Sequence, residues 1–146
     1  MSDSYLGKTG YLVFELAMGY RSQIEEAMNQ IGTSRSHGVI ICEVGANHGI
    51  SQTELADKLK VRTASMTYII KQLEELGWIY RERDMDDQRV VRVYLTEAGK
   101  AIEPKIVDVW NHLEAVILAG LSDAQQADLR LLISHMLRNI QQAAAE

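Results

Sequence analysis

Apolar residues follow a helical period over most of the chain. They recur every three or four positions along Tyr11–Ile31, which predicts a long first helix. A second, short helix should carry the apolar run Val39–Val44. Thr33 or Ser34 can cap its start, and Gly45 and Gly49 are expected to end it.

Two further helices are expected in the middle of the chain. Ser51 and Glu54 have the spacing of a capping box, in which each side chain binds a free backbone amide of the other residue, so a helix should start there. A tight connection through Lys60 leads to the next helix. Gly77 is expected to end that helix by adopting the left-handed backbone conformation. The apolar positions of this fourth helix share one face: Met66, Ile69, Ile70, Leu73 and Leu76.

From Trp78 onward the period of the pattern changes to two. Residues 78–83 and 90–95 have the composition of β-strands, and the polar residues 84–89 separate them. The pattern predicts a β-hairpin with a charged tip.

The C-terminal third predicts two long amphipathic helices. Thr96 can cap the first of them, and a second capping box formed by Ser122 and Gln125 starts the last helix, which runs almost to the end. The central unit is small, so the apolar stripes of the terminal helices need burial against each other or against a second subunit. We therefore expect a homodimer through the termini.

Composition agrees with one soluble globular domain. The chain has 146 residues, of which 47% are apolar and 24% charged. No apolar run reaches the roughly 18 residues that a membrane span needs, and residues 1–5 lack the basic start of a secretory signal. We expect a cytoplasmic protein with no membrane partner. Cys42 is the single cysteine, so an intramolecular disulfide is excluded.

Charge is distributed unevenly along the chain. The net charge is −5, which by itself argues against a nucleic-acid partner. Between Lys58 and Arg92, however, eight basic residues face six acidic ones, a balance of +2, which leaves −7 for the remainder. The segment Lys60–Lys71 contains no acidic residue, so the most cationic part of the chain lies in the fourth helix and the turn before it.

Two helices joined by a short turn and followed by a β-hairpin describe a winged helix-turn-helix. This motif places its second helix in the major groove of double-stranded DNA. The outward face of the fourth helix has small hydroxyl side chains and no acid, which suits an approach to phosphates and base edges. The alternative is an ordinary solvated helix face. The candidate DNA-binding residues of this helix are Arg62, Thr63, Ala64, Ser65, Thr67, Tyr68 and Lys71.

Four motifs follow one another in register: Ser51–Ala56, Leu73–Arg81, Asp87–Arg89 and Leu95–Gly99. Together they resemble the MarR family of bacterial transcription regulators, which are usually repressors. The resemblance implies a mainly α fold with a small β-wing, and a homodimer that binds a pseudo-palindromic operator. It implies one domain over 1–146, with dimerisation helices at about 8–32 and 97–144 and a winged helix-turn-helix lobe at about 33–96.

The resemblance also assigns roles in the wing. In the family, an Asp-x-Arg motif holds an arginine that enters the minor groove, and Asp87 and Arg89 occupy those positions here. Gln88 stands where many relatives carry a second arginine, which weakens the electrostatic attraction of this wing. The alternative is that Asp87 and Arg89 only stabilise the hairpin.

The fourth helix departs from the family at two positions. Arg62 stands where a helix-capping residue is common, so Thr63 is expected to take over the cap. Tyr68 stands where some relatives read a base with arginine, so it must read the groove differently.

Family members often respond to small aromatic or lipophilic anions bound between the dimer helices and the DNA lobe. Gly38 stands where relatives have a bulky residue, so its small size either widens a pocket or lets two helices pack closer. Each candidate lining residue has the alternative of plain core. The candidates are Tyr11, Phe14, Met18, His37, Gly38, Val39–Cys42 and Trp110.

Alternative functions differ in the signal that the protein senses or in the partner that it binds. Cys42 lies in an apolar helix, which favours a buried inert thiol over a redox sensor. A metal-responsive regulator would need His37, Cys42 and His112 to meet; we expect no metal site and no cofactor. No catalytic motif occurs, so an enzyme is not expected. A winged protein-docking module without DNA binding is the remaining alternative, and its binding should depend little on salt.

Overall fold

The computed structural model describes residues 4–145. Residues 1–3, part of the segment considered for a secretory signal, lie outside the described residues. A short 3₁₀ turn, Tyr5–Gly7, precedes six helices and a two-stranded hairpin. The helices are α1 (Thr9–Gln30), α2 (Arg35–Ala46), α3 (Gln52–Leu59), α4 (Thr63–Glu75), α5 (Glu97–Leu118) and α6 (Asp123–Ala143), and the strands are β1 (Ile79–Arg83) and β2 (Val91–Leu95). Two compact units are divided after Leu113, inside α5.

The predicted fold class, mainly α with a small β-wing, is confirmed, and so are the predicted starts of α2, α3 and α6. Ser34 caps α2 by accepting from the His37 amide at 3.3 Å. Ser51 and Glu54 form the expected capping box, and so do Ser122 and Gln125 at the start of α6. These bonds join residues three positions apart, so short sequence spacings were sufficient to predict them.

The end of α4 also follows the prediction. Gly77 has a φ of +74°, and the amide of Trp78 donates to the Leu73 carbonyl at 3.0 Å, as in a Schellman motif. Leu76, however, was wrongly placed on the inward face, because its side chain is 51% exposed. It lies at the C-cap, where the chain leaves the helix and no longer follows the buried stripe.

Helix α2 ends between the two glycines predicted to end it, since it continues past Gly45 to Ala46 and Gly49 has a φ of +76°. A Cβ atom at Gly45 would meet the carboxylate of Glu103 from α5. Because that carboxylate is the far end of a flexible side chain, which can rotate aside, the contact does not require a glycine.

The core of the first unit lies between the helices and the inner face of the hairpin. Ile41 and Val44 of α2, Leu55 of α3, and Val93 of β2 are fully buried, as are Met66, Ile70 and Leu73 on the inner face of α4. The antiparallel strands pair Ile79 with Leu95 and Arg83 with Val91. Because the inner face of α4 is buried, the opposite face of the helix is exposed to solvent.

The hairpin is attached to the helix-turn-helix by backbone as well as by side chains. The amide of Val93 donates to the Ile50 carbonyl at 3.0 Å, and Ser51 forms an isolated bridge with Arg92. The wing and the start of α3 are thereby held in one body. None of the helices among residues 4–145 has both the length and the apolar character of a bilayer span.

Candidate nucleic-acid interface

The N-terminus of α4 has no side-chain cap. Arg62 is the N-cap residue and makes no capping hydrogen bond, and Thr63 is already the first helical residue. The expectation that Thr63 caps the helix is therefore wrong, because a residue inside the first turn cannot accept from the amides that follow it. The first-turn amides and the positive end of the helix dipole remain directed outward, where a phosphate oxygen can accept from them.

All seven residues predicted to contact DNA from α4 and its N-cap are exposed. The face they form contains one full charge at each end, Arg62 and Lys71, with small or hydroxyl side chains between. Lys71 approaches the carboxylate of Glu75 only to 4.0 Å, and both side chains are about two-thirds exposed. Such a solvent-screened pair leaves Lys71 available to a phosphate.

Thr67 is held by a residue that sequence analysis missed. Gln52, the first residue of α3, donates from its side-chain amide to the Thr67 hydroxyl oxygen at 2.7 Å. That hydroxyl donates in turn to the Thr63 carbonyl at 2.9 Å. The single hydrogen of the hydroxyl is thus used within the helix, and only an oxygen lone pair remains for a partner in front of it. Gln52 carried no sequence signal for this role beyond its place in the capping box.

At the tip of the wing, Asp87 binds Arg89 through two parallel hydrogen bonds. The Nε and a terminal nitrogen of Arg89 donate to the two carboxylate oxygens at 3.0 Å each. These bonds hold the pKa of the Asp87 carboxyl below its usual value. The Arg89 side chain is still 91% exposed, so the pair aims a cation outward while restricting its rotamers.

The turn behind this pair depends on Asp84, which sequence analysis treated only as part of the polar tip. Its carboxylate accepts from the amides of Asp87 and Asp86 and from Arg92, and these bonds lower the pKa of Asp84 to about 2. Arg92 also donates to the Gly49 carbonyl at 2.8 Å. The wing tip is therefore fastened to the loop before α3, and a side chain accepting from amides two and three positions on is a known signature of Asp in turns.

Gln88 participates in the same turn. Its side-chain amide donates to the Asp84 carbonyl at 3.0 Å, and its own carbonyl accepts from Arg83 at 2.6 Å. Because this amide is engaged by the hairpin, Arg89 is the tip residue best placed to reach a partner.

The predicted effector residues differ in exposure. Phe14 is 58% exposed and Met18 is also exposed, so plain core is wrong for both in the single chain. Tyr11, His37, Cys42 and Trp110 are half-buried. One cleft in the described part of the chain is lined by other residues: Ala27, Gln30, Ile31, Lys105, Asp108, Val109 and His112.

Gly38 serves close packing and does not widen a pocket. A Cβ atom at this position would lie 3.1 Å from Ile106 of α5 and 3.3 Å from the sulfur of Met28 in α1. Of the two interpretations of this glycine, the structure supports the approach of helices.

Cys42 and the histidines do not form a metal site in the described region. No group of three ligand-type side chains there could hold an ion, so His37, Cys42 and His112 do not meet as the metal-responsive alternative requires. Burial, reinforced by the charges of Glu103 and Glu43, raises the pKa of the Cys42 thiol to about 11. A thiol with such a pKa is almost entirely protonated at neutral pH, unlike a redox-sensing cysteine.

We expect Cys42 to be alkylated by iodoacetamide at pH 7.5 at least about tenfold more slowly than free cysteine, because only the thiolate reacts. The rate should climb as pH rises toward 11. Mass spectrometry of timed samples measures it, and the same protein in 8 M urea is the control, where the ordinary rate should return. An equally fast reaction of the folded protein would contradict the assigned burial.

Comparison with known proteins adds three findings. The family model described as "MarR family" matches residues 33–91. The chain is 24% identical to the HTH-type transcriptional repressor Rv2887 of Mycobacterium tuberculosis over 127 residues, which are 87% of this chain and 91% of the relative. It also matches the crystal structure of the transcriptional regulator SlyA with a TM-score of 0.80. The sequence identity is 30%, and the match covers 90% of this chain and 95% of that one.

The fold also matches a solved complex with nucleic acid. A mutant MarR of Escherichia coli bound to operator DNA gives a TM-score of 0.80 at 22% identity, covering 93% of this chain and 99% of that chain. At this identity the likeness concerns the fold.

Proposed function

The chain belongs to the MarR family of DNA-binding transcription regulators, which are not enzymes, and from that premise we propose that it is a homodimeric repressor of a nearby promoter. Two copies would place their α4 helices in successive major grooves of a pseudo-palindromic operator, about 34 Å apart. Occupation of the promoter would then block transcription.

The observation that carries the proposal is the outward face of α4. It begins at an uncapped helix N-terminus, contains no acid between Arg62 and Lys71, and lies in the same body as a wing that presents Arg89 to solvent. Major-groove contacts would come from Ala64, Ser65, Thr67 and Tyr68, and phosphate contacts from Arg62, Thr63 and Lys71. Arg89, oriented by Asp87 and by the turn containing Gln88, would enter the minor groove.

The dimer is inferred from apolar surface on the terminal helices. In α1, Leu12, Phe14 and Leu16 are exposed, and α6 contains no buried residue. Four of the five large exposed apolar residues of α6 recur at helical spacing, Leu132, Ile133, Leu137 and Ile140, and Leu131 lies on another side of the helix. Exposed apolar stripes of this kind mark interfaces, and a twofold dimer would cover each of them with surface of a second copy.

Release by a small aromatic or lipophilic anion is part of the proposal. Such a ligand acts only if it binds the DNA-incompetent arrangement of the dimer more tightly than the competent one. Tyr11, Phe14, Met18, His37, Gly38, Cys42 and Trp110 are the candidate contacts. Because Phe14 and Met18 are exposed in one chain, a second copy is needed to enclose the ligand. The site of action is the cytoplasm, at the nucleoid.

The direct test is fluorescence anisotropy of the purified protein on tiled duplexes from upstream of its own gene. A scrambled duplex is the control, and each titration is repeated at several salt concentrations. We expect tight binding to one tile that weakens steeply as salt rises, because phosphate contacts release counterions. Weak binding of equal strength to every duplex, or binding unaffected by salt, would favour the protein-docking alternative.

Arg89→Ala should lower affinity for the selected operator by about tenfold or more, since each half-site loses a minor-groove cation. The loss should be similar for variant operators, and the salt dependence should become shallower. Arg21→Ala is the matched control, because Arg21 is also an exposed arginine, paired with Glu25 at 2.9 Å, but lies on α1. An Arg89→Ala protein that binds as tightly as the wild type would overturn the role of the wing.

A further inference from the structure

A chain of hydrogen-bonding groups connects α2 to the outward face of α4. The ring nitrogen Nε2 of His37 lies 3.5 Å from the side-chain oxygen of Gln72, and the Gln72 side-chain nitrogen donates to the Tyr68 hydroxyl oxygen at 3.2 Å. His37 is half-buried, and its ring contacts Trp78 edge to face, with centroids 6.5 Å apart. Tyr68, at the outer end, is 64% exposed.

The direction of these bonds decides what Tyr68 can offer in front of the helix. A tyrosine hydroxyl has one hydrogen, and its oxygen accepts. When Gln72 donates to that oxygen, the hydrogen is left free to point outward. If the Gln72 amide were reversed, its oxygen would take the hydroxyl hydrogen, and Tyr68 would face outward as an acceptor.

His37 is the group that fixes the direction. A glutamine amide is nearly symmetric in shape, so only its partners determine which end points where. A proton on Nε2 of His37 favours the amide oxygen of Gln72 on its side and therefore the amide nitrogen beside Tyr68. The imidazolium form always has this proton, and so does one of the two neutral tautomers.

We infer that Gln72 and His37 are positioning residues that make Tyr68 a hydrogen-bond donor toward the major groove, so that the operator base it reaches must present an acceptor. The inference rests on the proposed function and deepens it. Guanine, adenine and thymine each offer an acceptor on the major-groove edge, whereas cytosine offers a donor. Cytosine is therefore the base disfavoured at this position.

Thr67 provides the internal contrast on the same face. Its hydroxyl hydrogen is bound to the Thr63 carbonyl, so it can only accept from a partner in front of the helix. Adjacent side chains thus present opposite polarity, although both carry a hydroxyl. Side-chain type alone does not distinguish them. Both hydroxyl oxygens accept from a glutamine, and only the Thr67 hydroxyl also donates within the helix, to the Thr63 carbonyl.

The experiment begins with selection of bound duplexes from a randomised double-stranded DNA pool by the full-length wild-type protein. The affinity ratio between the selected duplex and versions carrying cytosine at each position is then measured by anisotropy. Tyr68→Phe identifies the position that Tyr68 reads, because the ratio there should fall by roughly two- to tenfold, the range expected for one neutral hydrogen bond.

Three further variants test the positioning chain. Gln72→Met, which cannot donate, should reduce the ratio at the same position, and the double variant with Tyr68→Phe should show no additional loss. Gln72→Glu can only accept, so it should turn the hydroxyl inward and shift the preference at that position toward cytosine. His37→Phe keeps a ring against Trp78 and should lower the ratio part of the way.

Controls separate positioning from folding. Gln30→Met makes the same substitution at an exposed residue ending α1, and it should leave the ratio unchanged. Urea midpoints identify any variant that loses stability. The affinity ratio compares two duplexes bound by the same variant, so any loss of affinity that is common to all duplexes cancels. The charge repulsion added by Gln72→Glu is such a common loss. A purely structural effect would therefore not reverse a base preference.

The outcomes distinguish the inference from the proposed function. A wild-type protein that selects no duplex would overturn both. A selected operator whose base ratios are unchanged by Tyr68→Phe, or changed by Tyr68→Phe and untouched by the Gln72 variants, would overturn the inference alone. Loss of preference in Gln72→Met together with a shift toward cytosine in Gln72→Glu is the supporting result.

Discussion

Replacing Ile140 with glutamate is expected to convert the proposed dimer into monomers at micromolar concentration and to lower operator affinity by at least about 100-fold. Ile140 is 71% exposed in the single chain, so the fold of that chain does not depend on its burial. A twofold interface would enclose two such glutamates, each at a cost of several kcal/mol. A monomer has one winged lobe and makes half of the contacts. Sedimentation equilibrium and anisotropy measure the two effects.

Gln142→Glu is the matched control for this variant. Gln142 lies two residues further along α6, is also exposed, and gains the same charge near the end of the helix, but it lies on the side opposite Ile140. It should remain dimeric and bind normally. If Ile140→Glu also stays dimeric, the apolar face of α6 is not the dimer interface, whatever its effect on DNA binding.

Gly99→Ala is expected to destabilise the fold by about 3 kcal/mol or more, at the upper end for the addition of one methyl group to a packed site. Gly99 lies in the first turn of α5, where its amide donates to the Thr96 hydroxyl at 3.1 Å. An added Cβ would overlap the carbonyl oxygen of Trp78 and lie 3.0 Å from its carbon. The obstacle is backbone, which cannot rotate away, and the same carbonyl accepts from the Thr96 amide. Urea unfolding measures the loss.

Gly19→Ala supplies the opposite expectation from the same chemical change. Gly19 lies inside α1 with no atom within 4 Å of an added Cβ, so alanine should stabilise the helix by about 0.5–1 kcal/mol. A Gly99→Ala protein that unfolds at the same urea concentration as the wild type would show that the start of α5 does not lie against the Trp78 carbonyl.

The two serine capping boxes and the Gly77 helix end illustrate what local sequence can predict. Each depends on residues within about six positions, and the spacing of donors and acceptors along a helix is fixed by its geometry. The start of α4 shows the limit of local sequence. Thr63 was expected to cap it because Arg62 stands where the family commonly has a capping residue, but capping depends on which residue is the last with non-helical backbone angles, and that residue is Arg62.

A glycine shows the same division. Gly38 lies inside α2, and no local pattern explains it. Its role appears only with the neighbouring helices in place, because Ile106 of α5 and Met28 of α1 fill the space that a side chain would take. A sequence reading could note that a glycine inside a helix is costly, but it could not say which neighbour requires it.

The sequence by itself determined the helices, the hairpin and the outward face of α4, because periodicity and short spacings record which groups are neighbours along one element. Its resemblance to the family identified the wing pair of Asp87 and Arg89. Only the tertiary structure decided how those groups are held. Arg92 binds a carbonyl 43 residues away, and His37 meets Gln72 across 35 residues. Such contacts form where separate elements cross, and the polarity that Tyr68 presents to a partner depends on one of them.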